Sequence, residues 1–510
     1  MEMDMPSQDN STVRGTKRKH AGDESEMSGP SNKLAAIADP SVSSPTATSD
    51  TDLTSEPLVH RDDEYFKTLY TEETDFGLLG QRDPEFKAVL QHGSLDFADP
   101  ASVMQLTKTL LKVDFGLRVD LPADRLCPPV PNRHNYILWL KDLLDSSAPS
   151  YVDSYEPARR VTGLDIGTGA SLIYPLLGCA QRPAWSFVAT DVDAESLARA
   201  RANAALNGLE SRIRVVGRRD AAADPLVPLD ELGLGRIDFA MANPPFYASA
   251  AELADLARQK ARPPSGACTG APIEMVCAGG EVGFVRRLLG ESLALRDRVQ
   301  WYTAMLGKQS SLDALVADLR ARGVTNYAVT AFVQGSRTRR WALGWSFGSR
   351  RPSLSASRGC APAAGKKLLP PPTETTVATW SASEASPERL GRAIRDAVGS
   401  LDLASWSWDE PRSRGLGFVD GNVWSRAYRR KKAKGAGTAD VHLSGGDAPS
   451  SPGQKPREQC AFGFAVSVRT SKDVETGEDG VAAVARWLQG GDHVLFESFA
   501  GFLRNSIRLP

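Results

Sequence analysis

Val161-Thr-Gly-Leu-Asp165-Ile166-Gly167-Thr168-Gly169-Ala170-Ser171 is the stretch on which the architecture turns. Its first six residues read as a buried strand, and the two glycines that follow allow a sharp turn and a close approach of a ligand to the backbone. A helix follows the turn, then Trp185–Thr190 reads as a second strand. Glu195–Leu209 is Ala-rich and helical, stopped by Asn207-Gly208, and Arg236–Ala242 reads as a third strand. Short apolar runs alternating with amphipathic stretches from about residue 65 to 351 predict βαβ units on a mostly parallel sheet, an α/β, Rossmann-like domain.

Upstream, Asp99-Pro100 leads into an accessory helix over Ala101–Val113. Downstream, Glu281–Leu295 sets Val282, Val285, Leu288 and Leu289 on one face and reads as a core helix with no chemical role. Residues 1–64 carry no aromatic before Tyr65 and are rich in Ser, Thr, Pro and acids, a composition that predicts disorder. Within them Lys17-Arg18-Lys19-His20 suits a nuclear import signal, a phosphate contact or a solvated charge cluster. Residues 352–371 read as a linker. Residues 372–510 suggest a small α+β module with strands at Thr376–Trp380 and Phe462–Arg469, helices at Pro387–Leu401 and Val481–Leu488, and a disordered insertion over 434–458.

With 41% hydrophobic residues in 510, the chain can bury more than one core. Its 61 basic and 62 acidic residues nearly cancel, so any nucleic-acid surface must come from local clustering. The six cysteines show neither Cys-x-x-Cys pairs nor a histidine pattern, so no metal site is expected. No apolar run reaches membrane-spanning length and no secretion signal is evident, which predicts a non-membrane, intracellular protein in nucleus or cytoplasm.

Three linked features carry the chemistry. The Gly167-x-Gly169 loop alone is an ordinary tight turn or a generic nucleotide loop. The second strand ends in Thr190-Asp191, where a carboxylate accepts hydrogen bonds from ribose hydroxyls. A dinucleotide fold competes, but the third glycine used beneath a pyrophosphate is missing. S-adenosylmethionine has no pyrophosphate, and Asp165 is placed to face its ammonium. Asn243-Pro244-Pro245-Phe246 then follows the third strand directly. An exocyclic adenine amine is a poor nucleophile because its lone pair is delocalised. Two fixed acceptors, the Asn243 side chain and the Pro244 carbonyl, let it pyramidalise toward a sulfonium methyl. The prolines stiffen the turn, and Phe246 offers a stacking face. Basic segments with an aromatic plane suit phosphates and unpaired bases: Arg258, Lys260 and Arg262, then Lys308, then Arg337, Arg339, Arg340 and Trp341. Arg218-Arg219 could touch RNA or cover the cofactor.

Together these residues resemble the U6 small nuclear RNA adenine-N6 methyltransferases, the methyltransferase-like-sixteen group related to bacterial ribosomal RNA adenine-N6 methyltransferases. The resemblance runs from about Asp83 to Phe347. It rests on Asp114-Phe-Gly-Leu117, Asn135-Tyr-Ile137, Leu164–Ser171 with Ile173–Gly178, Asn243–Phe246 and Trp341–Phe347. It implies a class I methyltransferase domain, S-adenosylmethionine as cofactor, and Arg133, Gly167, Asp191 and Asn243 as cofactor-binding residues. It further implies RNA contacts from 258–264, 307–308 and 337–341, and structured RNA, U6 small nuclear RNA above all, as partner. The region after Thr376, with Arg429-Arg-Lys-Lys432, weakly resembles the group's C-terminal RNA-binding module. Asp191 stands where many members carry Glu. Arg218-Arg219-Asp220 replaces the lysine and threonine of the group's cofactor-covering loop. Ribosomal RNA, a glutamine amide in a protein, and RNA binding without catalysis remain the alternatives.

Overall fold

The computed structural model describes residues 61–249, 251–252, 270–334, 338–360, 368–436, 456–472 and 479–508. Lys17–His20 and most of the expected N-terminal tail lie outside them. A helix already starts at Asp63, capped by the Asp62 carboxylate on the Tyr65 N–H.

The first sheet has eight strands: β1 (Val161–Ile166), β2 (Trp185–Asp191), β3 (Ile213–Gly217), β4 (Ile237–Ala242), β5 (Val299–Leu306), β6 (Tyr327–Gln334), β7 (Thr338–Trp345) and β8 (Arg358–Gly359). Their order is β3-β2-β1-β4-β5-β7-β6-β8. β1 to β5 run parallel, and β7 is antiparallel to both neighbours. The order reverses between β1 and β4, and in such sheets the crevice at the carboxyl ends of those two strands is where ligands bind. Both faces are covered, which is why the strands are apolar throughout rather than alternating. This is the Rossmann-like α/β class expected above; β1, β2 and β4 are the strands read from the sequence, and β3 and β5 to β8 are added by the structure.

Two further expectations need correction. Residues 352–371 are not a plain linker: Leu354–Ser357 is helical, β8 extends the sheet edge, and Ala356 and Cys360 are buried. The Trp139 indole N–H donates to the Ala356 carbonyl at 2.8 Å and fastens the segment to the core. Val481–Leu488 is a strand rather than a helix. It belongs to β13 (Asp479–Gln489), the fourth strand of a five-stranded antiparallel sheet ordered β10-β11-β12-β13-β9. The others are β9 (Glu374–Ser381), β10 (Ser405–Asp409), β11 (Arg414–Val419) and β12 (Phe462–Lys472). Alanine-rich sequence favours a helix in isolation. Here both faces of the strand are covered, and small side chains pack well there, so tertiary context overrides propensity. Helices Pro387–Gly399 and His493–Ser506 cover one face of this sheet. Of the expected insertion, 434–436 end a helix, 456–458 are described, and 437–455 lie outside the described residues. No helix among the described residues is long and apolar enough to cross a membrane.

Candidate active site

The glycine loop leaves β1 with Gly167 and Gly169 in the left-handed region, at φ 74° and 65°. The Thr190 carbonyl accepts the N–H groups of Gly167 and Thr168, at 2.9 and 3.0 Å, so the end of β2 holds the loop against β1. Asp191 reinforces it, one oxygen accepting Gly169 N–H at 2.8 Å and the other the N–H groups of Val192 and Asp193. The carboxylate expected to meet a ribose is therefore also the clasp of the loop. Beside Gly167 the space where a Cβ would stand is open for 4 Å, as a ligand lying on the backbone requires.

Asp165 is the anomaly of the site. It is only 1% exposed, yet neither carboxylate oxygen reaches hydrogen-bond geometry with any partner, the neighbouring Thr168 hydroxyl included. Burial, with the charge of Asp191 adding to it, pushes its carboxyl up to about 7, against the opposing pull of Thr168 and Arg133. Arg133 is itself buried, donating to the Met305 sulfur at 3.3 Å and lying over the Tyr174 ring. The structure thus brings Arg133, Asp165, Gly167, Gly169 and Asp191 together at the carboxyl ends of β1 and β2.

Asn243 opens the turn one residue after β4 ends at Ala242. Its side-chain oxygen is buried without a partner, as are the Asp165 oxygens and Thr168 Oγ1 at the same edge. Behind the strand end, the Tyr136 hydroxyl donates to Thr303 Oγ1 at 2.9 Å. Beyond the turn Tyr247 bridges Val276, its N–H and carbonyl engaging Met275 and Cys277. The Asn243-Pro244-Pro245-Phe246 segment is thereby pinned at both ends.

Phe246 is half-buried, and its ring is flanked on two sides. The Arg340 guanidinium stands 5.4 Å from its centroid. On the other side Gly307 is so close that a Cβ there would stand 2.9 Å from Phe246 Cδ1. Glu281, 2% exposed, holds that glycine: its two oxygens accept the N–H groups of Gly307 and Lys308 at 2.6 and 3.1 Å. Sequence reasoning passes over Glu281 as part of a core helix. The signal available is Gly279-Gly280 directly before it, both left-handed and bringing the helix start against the Phe246 carbonyl.

The expected RNA contacts divide. Arg258, Lys260, Arg262 and Arg337 lie outside the described residues. Arg339 is exposed with its guanidinium over the Trp341 ring, and Lys308 pairs with Glu252 at 3.2 Å. Trp341 is a correction: at 4% exposure it packs into the core, because both faces of β7 are covered from this residue on, and it offers no face to a base. Arg218 is engaged with Glu231 and Asp224. Among the described residues no three His, Cys, Asp or Glu side chains stand together as a metal site.

The chain is similar in sequence to known proteins. The family described as RNA methyltransferase matches residues 63–349. The U6 small nuclear RNA (adenine-(43)-N(6))-methyltransferase of Schizosaccharomyces pombe is 43% identical over 263 residues, covering 52% of this chain and 65% of that protein. The RNA N(6)-adenosine-methyltransferase METTL16 of Homo sapiens is 43% identical over 282 residues, covering 54% of this chain and 48% of that protein. The chain thus spans about half to two-thirds of the length of these curated relatives. A solved structure of the human METTL16 catalytic domain with MAT2A 3'UTR hairpin 6 is 41% identical over 54% of this chain and 94% of that one, with a TM-score of 0.47.

Proposed function

The chain belongs to the RNA methyltransferase family, and from that premise we propose that it methylates the exocyclic N6 of an adenine in structured RNA, U6 small nuclear RNA first among candidates. The observation that carries this reading is the pair of orphan acceptors at one sheet edge, the Asp165 carboxylate and the Asn243 side-chain oxygen. Buried polar atoms in folded proteins are nearly always partnered, and although other orphans occur elsewhere in the fold, two such groups at a topological switch point support a ligand site there.

The residues fit S-adenosylmethionine. Asp165, with Arg133 alongside, faces where an ammonium and a carboxylate would need partners of opposite charge. The open space at Gly167 admits a ligand against the backbone, and Asp191 keeps acceptor capacity toward a ribose. When bound, that cofactor supplies an electrophilic methyl on a positively charged sulfur.

The chain's own residues do the rest. The Asn243 oxygen and the Pro244 carbonyl accept the two N6 hydrogens, localising the nitrogen lone pair on the side facing the methyl. No strong base is needed while the amine is neutral, because the proton lost after transfer is acidic. Phe246 stacks on the extruded base, an interaction worth about 1–3 kcal/mol. Arg340 stands over the same ring, where it can pair with a phosphate or cap the base, and Arg339 and Lys308 extend the basic rim. The helix Arg426–Ala436 of the second module, with Arg429, Arg430, Lys431 and Lys432, adds a second basic surface suited to RNA phosphates. A U6 substrate would place the protein in the nucleus.

Methyl transfer from labelled cofactor to a U6-derived hairpin tests the reading. Asn243→Ala should lower kcat by roughly 100- to 1000-fold, the range for removing one preorganised acceptor or donor, with cofactor affinity changed far less. Activity surviving at wild-type level would overturn it.

A further inference from the structure

At the opposite edge of the first sheet lies a second site. Arg236 precedes β4, Arg296 and Asp297 precede β5, and Phe347 and Arg350 follow β7, so all five stand at the amino ends of the parallel strands. They are separated from the Asn243 edge by the length of a strand, roughly 20–25 Å. With Glu458 of the second module they line a cavity of about 410 Å³, within the size range that takes a nucleotide-sized ligand.

The side chains in this cavity are charged and held apart. Among the described residues none of Arg236, Arg296, Arg350, Asp297 and Glu458 has an ion-pair partner within 4.0 Å. Neighbouring arginines are answered: Arg159 reaches Asp238 and Arg298 reaches Asp230. Arg350 is half-buried, fixed by its Nε on the Ser147 carbonyl at 2.9 Å, and crowded by the like charges of Arg236 and Arg159; burial first, and then those charges, lower its pKa. Arg296 has a positive φ of 50°, uncommon for a side-chain-bearing residue, and its guanidinium stacks 4.9 Å from the Phe347 centroid. Guanidinium groups and carboxylates that line one cavity without pairing suit a ligand that satisfies both. The forks of Arg236 and Arg350 match phosphate oxygens, Asp297 and Glu458 accept amine or hydroxyl hydrogens, and the Arg296–Phe347 pair offers a plane.

We infer that this cleft between the two modules binds a nucleotide unit of the RNA, phosphate on the arginines and base or sugar donors on the carboxylates, so that one RNA touches both edges of the sheet. The inference rests on the RNA reading above. It adds an anchor point in which the second module takes part, far from the reacting atoms.

The test uses the full chain with Arg236→Ala and Arg296→Ala combined; both side chains are exposed, so the fold is expected to hold. Hairpin RNA binding is followed by fluorescence anisotropy between roughly 50 and 200 mM salt. The double variant should bind about tenfold more weakly. Its plot of log affinity against log salt should be shallower by about 0.7–0.9 for each phosphate that the arginines no longer neutralise. Binding of S-adenosylhomocysteine by calorimetry should be unchanged. Unchanged RNA affinity and slope would overturn the inference. So would AMP binding that the double variant loses while RNA binding stays intact, since the site would then serve a free nucleotide. A wild-type chain that bound no hairpin would instead fail the RNA reading itself.

Discussion

Two regions of the molecule bury charge, and they treat it in opposite ways. At the carboxyl edge of the first sheet, Asp165 and Asn243 present buried oxygens with no partner. At the seam between the two sheets the buried cations are answered. Arg351, 4% exposed, donates through Nε to the Gly490 carbonyl and through Nη1 to the Thr325 carbonyl, and lies 4.2 Å from the Trp487 ring centroid. Arg414 and Arg486 share the Asp153 carboxylate, and the Tyr151 hydroxyl donates to the Gln489 side chain. Burial of a charged residue is therefore no mark of function in this protein. What separates the site from the seam is whether the chain itself supplies a partner for the charge: Asp153 Oδ1 and Arg486 Nε also lack hydrogen bonds, but each of those side chains is engaged through its other atoms.

The largest effect should come from adding or removing the unanswered charge. With the Asp165 carboxyl raised to about 7 in the folded chain and near 4 when unfolded, the ligand-free protein holds a proton that the unfolded chain releases. The group's contribution to stability is complete below about pH 4 and is lost as pH rises through about 7, by an amount on the order of a few kcal/mol. Urea unfolding of the ligand-free chain at pH 5 and pH 8 should show that fall, and Asp165→Asn should remove it while weakening cofactor binding. S-adenosylhomocysteine binding near pH 7 should release a proton, visible as a dependence of calorimetric enthalpy on the buffer. Identical pH profiles for wild type and variant would erase the contrast between the two regions.

A smaller effect, of the opposite kind, is expected at the seam. Asp153→Ala leaves two cations without their shared carboxylate. Breaking a buried pair costs about 3–5 kcal/mol, and because Asp153 keeps some exposure a loss of roughly 2–3 kcal/mol is expected. Thermal unfolding measures it. The sharper requirement is that cofactor affinity stays at its wild-type value; a parallel loss of binding would show that the seam is coupled to the site.

What could be read beforehand follows the same division. The strands β1, β2 and β4 and the loops that follow them were legible because the motifs are local: a glycine turn, a strand-end carboxylate and a proline-stiffened turn each lie within a few residues. Asn243, Asp165 and Gly167 are placed at the strand ends by such motifs, and the structure has them there. Trp341 was misjudged because sequence counts it among basic neighbours, while its place on β7 turns it into the core. Val481–Leu488 was misjudged because alanine favours a helix until two layers close over it. The partners at the seam join residues hundreds of positions apart, such as Tyr151 with Gln489 and Ser146 with Arg486, and no local pattern foretells them.

Glu281 sits between the two behaviours, and it yields the smallest but most discriminating prediction. Its carboxylate is buried with no cation within ion-pair distance among the described residues, like Asp165, yet each oxygen accepts a backbone N–H, like a group of the seam. The N–H groups it binds sit just ahead of helix Gln309–Ala321, where the helix dipole favours a negative charge. In Glu281→Gln one oxygen becomes an NH2 that meets an N–H donor, so one buried hydrogen bond disappears, at a cost of about 1–3 kcal/mol of stability. If the carboxylate is only a staple, thermal unfolding records that loss and nothing else changes. If it positions Phe246 through Gly307, kcat on the RNA hairpin should also fall about tenfold with S-adenosylhomocysteine affinity unchanged, because the cofactor loop hangs from β1 and β2. Gly307→Ala, which pushes on the ring while leaving Glu281 in place, should reproduce the kinetic loss, and Glu281→Asp, which keeps the charge, should restore part of it. A Gln variant of full activity and reduced stability would assign Glu281 to the architecture, leaving Asp165 and Asn243 among the polar groups at this edge that await a ligand.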